Sequence, residues 1–312
     1  MNNPNGSIME NNIIAKSNDL IIASYSLTRH EQNLLLACVS QVNSLPGANA
    51  VSIESRFTVT VEQIKSLFYQ GPTKRNAYRD LKKAADHLFE REVNIKLGND
   101  EILRTRFASS VKFQPNDSQV VLRFAEDILP YLTQLKNNFT RYRLTDTVEL
   151  TSVYAVRLFE LITCWQGQNK WSETMELDDF RVMMGVDDKY RQFSNLRDRV
   201  IDSAVQQVND NTLYNVSVSY GKVGREHRRI IFKFYKKGAL LLTDDAGALS
   251  LEKIRRIVRT PLFTADYNDH KLLSVEARDS NEAFWAKAEE LLATNPKAFD
   301  KRPFDEYLKK TH

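Results

Sequence analysis

Between Lys189 and Val208 the side chains able to do chemistry are amides and guanidiniums. Arg191, Gln192, Asn195, Arg199, Ser203 and Gln206 recur at spacings that gather them on one side of a helix. Leu196, Val200, Ile201, Ala204, Val205 and Val208 take the other side. Arg can contact guanine through two hydrogen bonds, and Asn or Gln can do the same with adenine. This is the chemistry a helix needs to read base edges in a major groove. The same pattern also suits a solvated face on a core helix, so the surrounding chain has to decide between the two. On an ideal helix Arg197 falls nearer the apolar side, which points to a phosphate contact or a structural pairing rather than base reading.

A second such helix is expected over Lys74–Arg91. It buries Tyr78, Leu81, Ala85, Leu88 and Phe89 and turns Arg75, Asn76, Arg79 and Lys83 outward, with Lys74 at its start and Asp86 and Glu90 further along. A short helix, Glu62–Tyr69, precedes it after a Thr60 cap, and Gln70-Gly71-Pro72-Thr73 is a turn between them. Helix, tight turn and polar-faced helix make a helix-turn-helix. Three strand-like runs follow (Val93–Leu97, Ile102–Phe113 and Val120–Phe124), which make a wing. Ile128–Leu135 reads as a short helix and Phe139–Leu144 as a closing strand.

The pattern then starts again. Leu150–Trp165 is an apolar helix, Met175–Leu177 a short strand, and Asp178–Met184 a short helix capped by Asp178. After a turn at Gly185-Val186-Asp187-Asp188 comes the organising helix, then strands Tyr214–Tyr220 and Arg229–Tyr235. The hairpin tip between these strands carries Lys222, Arg225 and Arg228, which suit phosphates or a minor groove. The expected fold is α+β, two tandem winged-helix domains with a small helical C-terminal extension. Residues 1–18 are read as a mobile lead-in, 19–146 as the first domain, 147–237 as the second, and 238–312 as a linker and helical tail. Asp19–Val42 is expected to be one buried helix, with Thr28 and Glu31 forming a capping box inside it.

Composition narrows the function. The chain has 312 residues, 42% hydrophobic, enough for a substantial core. Its net charge of +4 is modest but clustered. From Arg181 to Lys237 there are twelve Lys/Arg against six Asp/Glu, an excess that suits a polyanion. Cys38 and Cys164 lie inside apolar helical patterns and read as buried thiols in a reducing cytoplasm. The N-terminus lacks a secretory pattern and no apolar run reaches the roughly 20 residues a membrane span needs. The expectation is therefore a cytoplasmic protein without membrane contact. His30, His87, His227, His270 and His312 are scattered, and neither a phosphate-binding glycine loop nor a serine-nucleophile elbow is present. No catalytic residue, metal or cofactor is expected.

Several stretches carry a family resemblance. They are Ser17–Tyr25 with Leu27–Gln32, Asn76–Lys82, Phe139–Leu144, Tyr154–Leu161, Phe193–Val208 and Ile230–Lys236. In this order they resemble the replication initiator proteins of theta-replicating, iteron-containing bacterial plasmids, over roughly residues 17–237. The resemblance implies two winged-helix domains that bind repeated sequences (iterons) in double-stranded DNA at a plasmid origin. It also implies help in origin opening and recruitment of a host initiator and replicative helicase. A homodimer in equilibrium with monomer would bind an inverted-repeat operator and repress the gene. By this resemblance Gln192–Val208 is the main base-reading helix and Lys74–Arg91 its first-domain counterpart, while strands within 93–124 are candidates for the dimer contact. A winged-helix repressor with no role in initiation, and a scaffold that binds only proteins, are the competing readings.

Overall fold

The computed structural model describes residues 12–42, 51–68, 76–99, 101–133, 135, 138–224, 226–237, 251–268, 273 and 281–308. It comprises two compact units, residues 1–212 with 216–234, and residues 213–215 with 235–312.

The first winged helix opens with β1 (Ile13–Ser17), α1 (Asn18–Ile22) and α2 (Arg29–Val39). Two expectations are corrected here. Residues 13–17 are a mostly buried strand rather than a lead-in, paired antiparallel with the later strand at 139–143. The single helix expected over 19–42 is two, because Ala23 and Thr28 both take extended backbone. Thr28 does form the capping box: its hydroxyl accepts from Glu31 N while Glu31 Oε2 accepts from Thr28 N at 2.9 Å.

β2 (Phe57–Thr60) leads into α3 (Val61–Phe68), and Thr60 and Gln63 cap each other reciprocally at 2.9 and 3.1 Å. α4 (Ala77–Glu90) follows, buried along Leu81, Ala84, Ala85 and Leu88. The expected turn at 70–73 lies outside the described residues. The run expected as one strand over 102–113 is split. β3 (Glu92–Lys96) and β4 (Ile102–Arg106) form a separate hairpin, and β5 (Ala108–Gln114) belongs to another sheet. The break is Phe107, which is fully buried and whose carbonyl accepts from Ala125 N at 3.0 Å. β5 pairs with β6 (Gln119–Phe124), which pairs with β2. A 3-10 turn, Glu126–Tyr131, replaces the helix expected near 128–135, and β7 (Phe139–Arg143) closes against β1.

The second winged helix repeats the plan with α5 (Val153–Gly167), β8 (Ser172–Glu176) and α6 (Leu177–Met183). Glu176, not Asp178, is the N-cap of α6, and Asp178 sits in its first turn. The organising helix runs without interruption from 193 to 211 as α7 (Phe193–Leu196), a π-helical stretch Arg197–Asp202, and α8 (Ser203–Asn211). β9 (Tyr214–Val223) and β10 (Glu226–Lys236) are longer than the strands expected over 214–220 and 229–235. Trp165, Phe180, Phe232 and Phe234 form the aromatic core beneath them. Strand order is β2-β6-β5 in the first domain and β8-β10-β9 in the second, the same path through the sheet.

The other unit contains α9 (Leu251–Val258), α10 (Pro261–Tyr267), α11 (Asn281–Thr294) and α12 (Phe304–Tyr307). Its core includes Ile257, Phe263, Tyr267, Phe284 and Phe299. α10 occupies part of a stretch expected to be irregular. Thr260 caps it and Pro261 fills its first position, where a missing N–H costs nothing. The linker expected over 238–250 lies outside the described residues. Both cysteines are buried free thiols. Among the described residues no helix is long and apolar enough to cross a membrane.

Candidate nucleic-acid interface

The helix 193–211 buries Leu196, Val200, Ile201, Ala204 and Val208 and exposes Arg197, Asp198, Arg199, Asp202 and Gln206. Its position is fixed at both ends. At the start, the Phe193 ring stacks on the His227 imidazole at 4.0 Å and meets the Tyr220 ring edge-on at 4.9 Å. These contacts tie the helix to both wing strands. At the far end, Gln207 Oε1 accepts from Ser152 N at 3.0 Å and from the Thr151 hydroxyl at 3.2 Å, joining α8 to the cap of α5.

Arg181 on α6 shapes the approach to the helix. Its guanidinium donates to the carbonyls of Lys189 at 3.0 Å and Arg191 at 3.3 Å. Sequence reasoning passed over Arg181, because nothing in spacing says that a side chain will brace the turn that follows its own helix. Gly185 was marked only as a turn residue. Its φ is +63°, and a Cβ there would stand 2.2 Å from the Tyr25 carbonyl oxygen, so glycine is required twice over.

The sequence-predicted readers are placed unequally. Arg199 is exposed and has no ion-pair partner among the described residues. Asn195 is half-buried and donates to Gln192 Oε1 at 3.2 Å, so the two amides bind one another. Arg191 and Gln192 are exposed just before the helix, and Ser203 is half-buried on it. Arg197 departs from the expected geometry. It is exposed, not near the apolar side, and its Nε lies 2.8 Å from Asp198 and 3.6 Å from Asp202. On the wing, Lys222 is exposed, while Arg228 is paired with Glu226 at 2.5 Å. Arg225 lies outside the described residues.

In the first domain Asn76 caps α4 without a side-chain hydrogen bond, and Arg79 lies 3.5 Å from Asp80. Lys83 is exposed and Lys82 lies over the Phe113 ring at 5.3 Å. Lys74 and Arg75 lie outside the described residues.

One buried polar network joins the two winged helices. Arg157 on α5 donates to the Ala23 carbonyl at 2.8 Å and the Met183 carbonyl at 2.7 Å, and its guanidinium covers the Tyr25 ring while donating to the Tyr25 hydroxyl. It thereby grips the α1–α2 link and the end of α6 together. Beside it, fully buried Glu160 meets Lys16 at 2.7 Å, Arg157 at 3.8 Å and the Tyr142 hydroxyl. Burial alone would raise the Glu160 pKa, but the Lys16 and Arg157 charges hold it below the usual carboxylate value. Burial and the neighbouring carboxylate push Tyr142 well up, so it stays a proton donor.

These elements match known sequences, the first match running on through most of α5. Residues 13–163 match the first winged helix of the initiator replication protein family, and residues 176–234 match its second. A replication initiation protein of Escherichia coli is 30% identical over 227 residues, covering 71% of this chain and 69% of that protein. The chain belongs to the initiator replication protein family. An uncharacterized 27.6 kDa protein of Escherichia coli is 23% identical over 207 residues, 64% of this initiator and 85% of that protein. A crystal structure of Pi initiator protein in complex with iteron DNA shares the fold, with a TM-score of 0.60 and 19% identity. It covers 73% of this initiator and 99% of that chain. The family is one of DNA-binding replication initiators, not of enzymes.

Proposed function

We propose that this initiator binds tandem iterons in double-stranded DNA at a plasmid origin, placing α4 and the helix 193–211 in major grooves. Arg199 and Asn195 read bases in the second domain, with Gln192, Arg191 and Ser203 beside them. Asn76, Arg79 and Lys83, preceded by Lys74 and Arg75, serve the first domain. Lys222, Arg225 and Arg228 hold phosphates from the wing. Origin opening, recruitment of a host initiator and replicative helicase, and autorepression by a homodimer on an inverted repeat complete the cytoplasmic role.

The observation that carries this reading is the duplication itself. Two winged-helix units with one strand order lie in a single compact unit, each with exposed cations on its second helix. The shared fold with the Pi initiator, whose crystal structure contains iteron DNA, supports the same use. The test is a gel-shift titration against tandem direct repeats of about 20 base pairs, two helical turns. Tight, salt-sensitive binding to direct repeats is expected. Binding confined to a single inverted repeat would favour a repressor with no part in initiation, and no salt-sensitive binding would favour a protein scaffold.

A further inference from the structure

The helix assigned to DNA carries two exposed acids, which phosphates should repel. Asp198 and Asp202 are both exposed, and both lie against Arg197, at 2.8 and 3.6 Å. The backbone explains how one guanidinium reaches both. On a regular α-helix residues 197 and 202 would stand about 140° apart around the axis. The stretch Arg197–Asp202 is π-helical, with bonds spanning five residues, which brings positions five apart much closer around the axis. The same change of phase moves Arg197 off the apolar side, where Val200, Ile201 and Ala204 fill the core. Single π-turns within α-helices occur frequently at functional sites.

Resting on the proposed DNA-binding role, we infer that Asp198 and Asp202 are specificity-determining residues that restrain Arg197 on the reading helix. On arbitrary DNA the two carboxylates repel phosphates and keep Arg197 neutralised, so that it contributes little non-specific grip. On the correct site Arg197 turns to guanine O6 and N7, and an aspartate accepts from a cytosine amino group. A G·C step is the feature that satisfies both signs at once. Arg199, exposed on the same helix and without an acidic partner among the described residues, supplies contact that does not depend on the restraint.

The test begins with a duplex selected from a random pool by the full-length wild-type chain, and a scrambled duplex of the same composition. Asp202→Asn and Asp198→Asn are compared with Glu126→Gln, which removes one exposed negative charge far along the chain from the reading helix. We expect the aspartate variants to bind scrambled DNA about fivefold more tightly. Their log–log salt slope on it should steepen by roughly one as a freed guanidinium takes up a phosphate. The selected duplex should gain no affinity, and repeat selection should lose a G·C preference at one position. In an Arg197→Ala background the Asp202→Asn effect on scrambled DNA should shrink, because the group it restrains is gone. Equal gains on both duplexes, a Glu126→Gln effect of the same size, or an effect independent of Arg197 would each overturn the inference. Failure of the wild-type chain to enrich any sequence would instead overturn the DNA-binding reading beneath it.

Discussion

The two winged helices follow one plan and differ in the helix each presents. α4 is regular throughout, and its exposed cations Arg79, Lys82 and Lys83 sit where a period of 3.6 residues places them. The helix 193–211 changes its period at Arg197–Asp202, and there one guanidinium meets two acids, whereas Arg79 on α4 meets one. Their wings differ too. β9 and β10 run ten and eleven residues, and side chains from both strands grip the start of the second helix through the Phe193–His227–Tyr220 cluster. The first domain instead inserts the β3–β4 hairpin between its reading helix and its sheet. A duplicated scaffold thus gives one reading helix of regular period and one re-phased around a doubly paired arginine, and discrimination should concentrate in the second domain.

The most disruptive way to break this comparison is to cut the link between the domains. Arg157→Met leaves Glu160 with less compensation in a fully buried site and frees the Ala23 and Met183 carbonyls. A loss of about 3–5 kcal/mol is expected in urea denaturation, with one transition splitting into two. A single unshifted transition would show that the domains do not depend on this network. The same network sets an acid limit. Because the Glu160 pKa is lowered in the folded protein, its contribution is complete above the unfolded carboxylate pKa, near 4.5, and is lost as pH falls through the folded value. Wild type should therefore lose stability faster than Glu160→Gln below about pH 4, as followed by circular dichroism.

Smaller effects sharpen the contrast between the helices. Arg199→Ala should weaken binding to a selected duplex by ~1–3 kcal/mol and relax its sequence preference, while leaving the thermal midpoint unchanged. Arg79→Ala on α4 should cost less and relax nothing, and the reverse ranking in gel-shift titrations would assign discrimination to the first domain. Lys222→Ala on the wing is expected to give the smallest change, equal on all sequences, with the salt slope falling by about 0.9. A sequence-selective loss there would make the wing a reader.

Much of this architecture was legible from residue types alone. Thr28 with Glu31, and Thr60 before α3, announce helix starts because their hydroxyls capture the first free N–H groups. The order of elements in each domain follows from periodicity, and α4 and the second reading helix stand close to where spacing puts them. The misses share a cause, since each depends on contacts distant in sequence. Ile102–Phe113 alternates like one strand, and only the burial of Phe107 shows the chain crossing between sheets. Arg157 and Glu160 sit in an apolar run where spacing offers no hint of partners at Lys16 and Tyr25. Arg197 was misplaced because a face drawn at 3.6 residues per turn fails where the backbone widens.

The central claim, that two modules of one molecule grip one face of a long duplex, is tested most directly by hydroxyl-radical footprinting of the wild-type chain on a single repeat. The account predicts protection of two consecutive major-groove segments, about 10 base pairs apart on the same face. Protection of one turn only, unchanged when Asn76, Arg79 and Lys83 are all replaced by Ala, would contradict it.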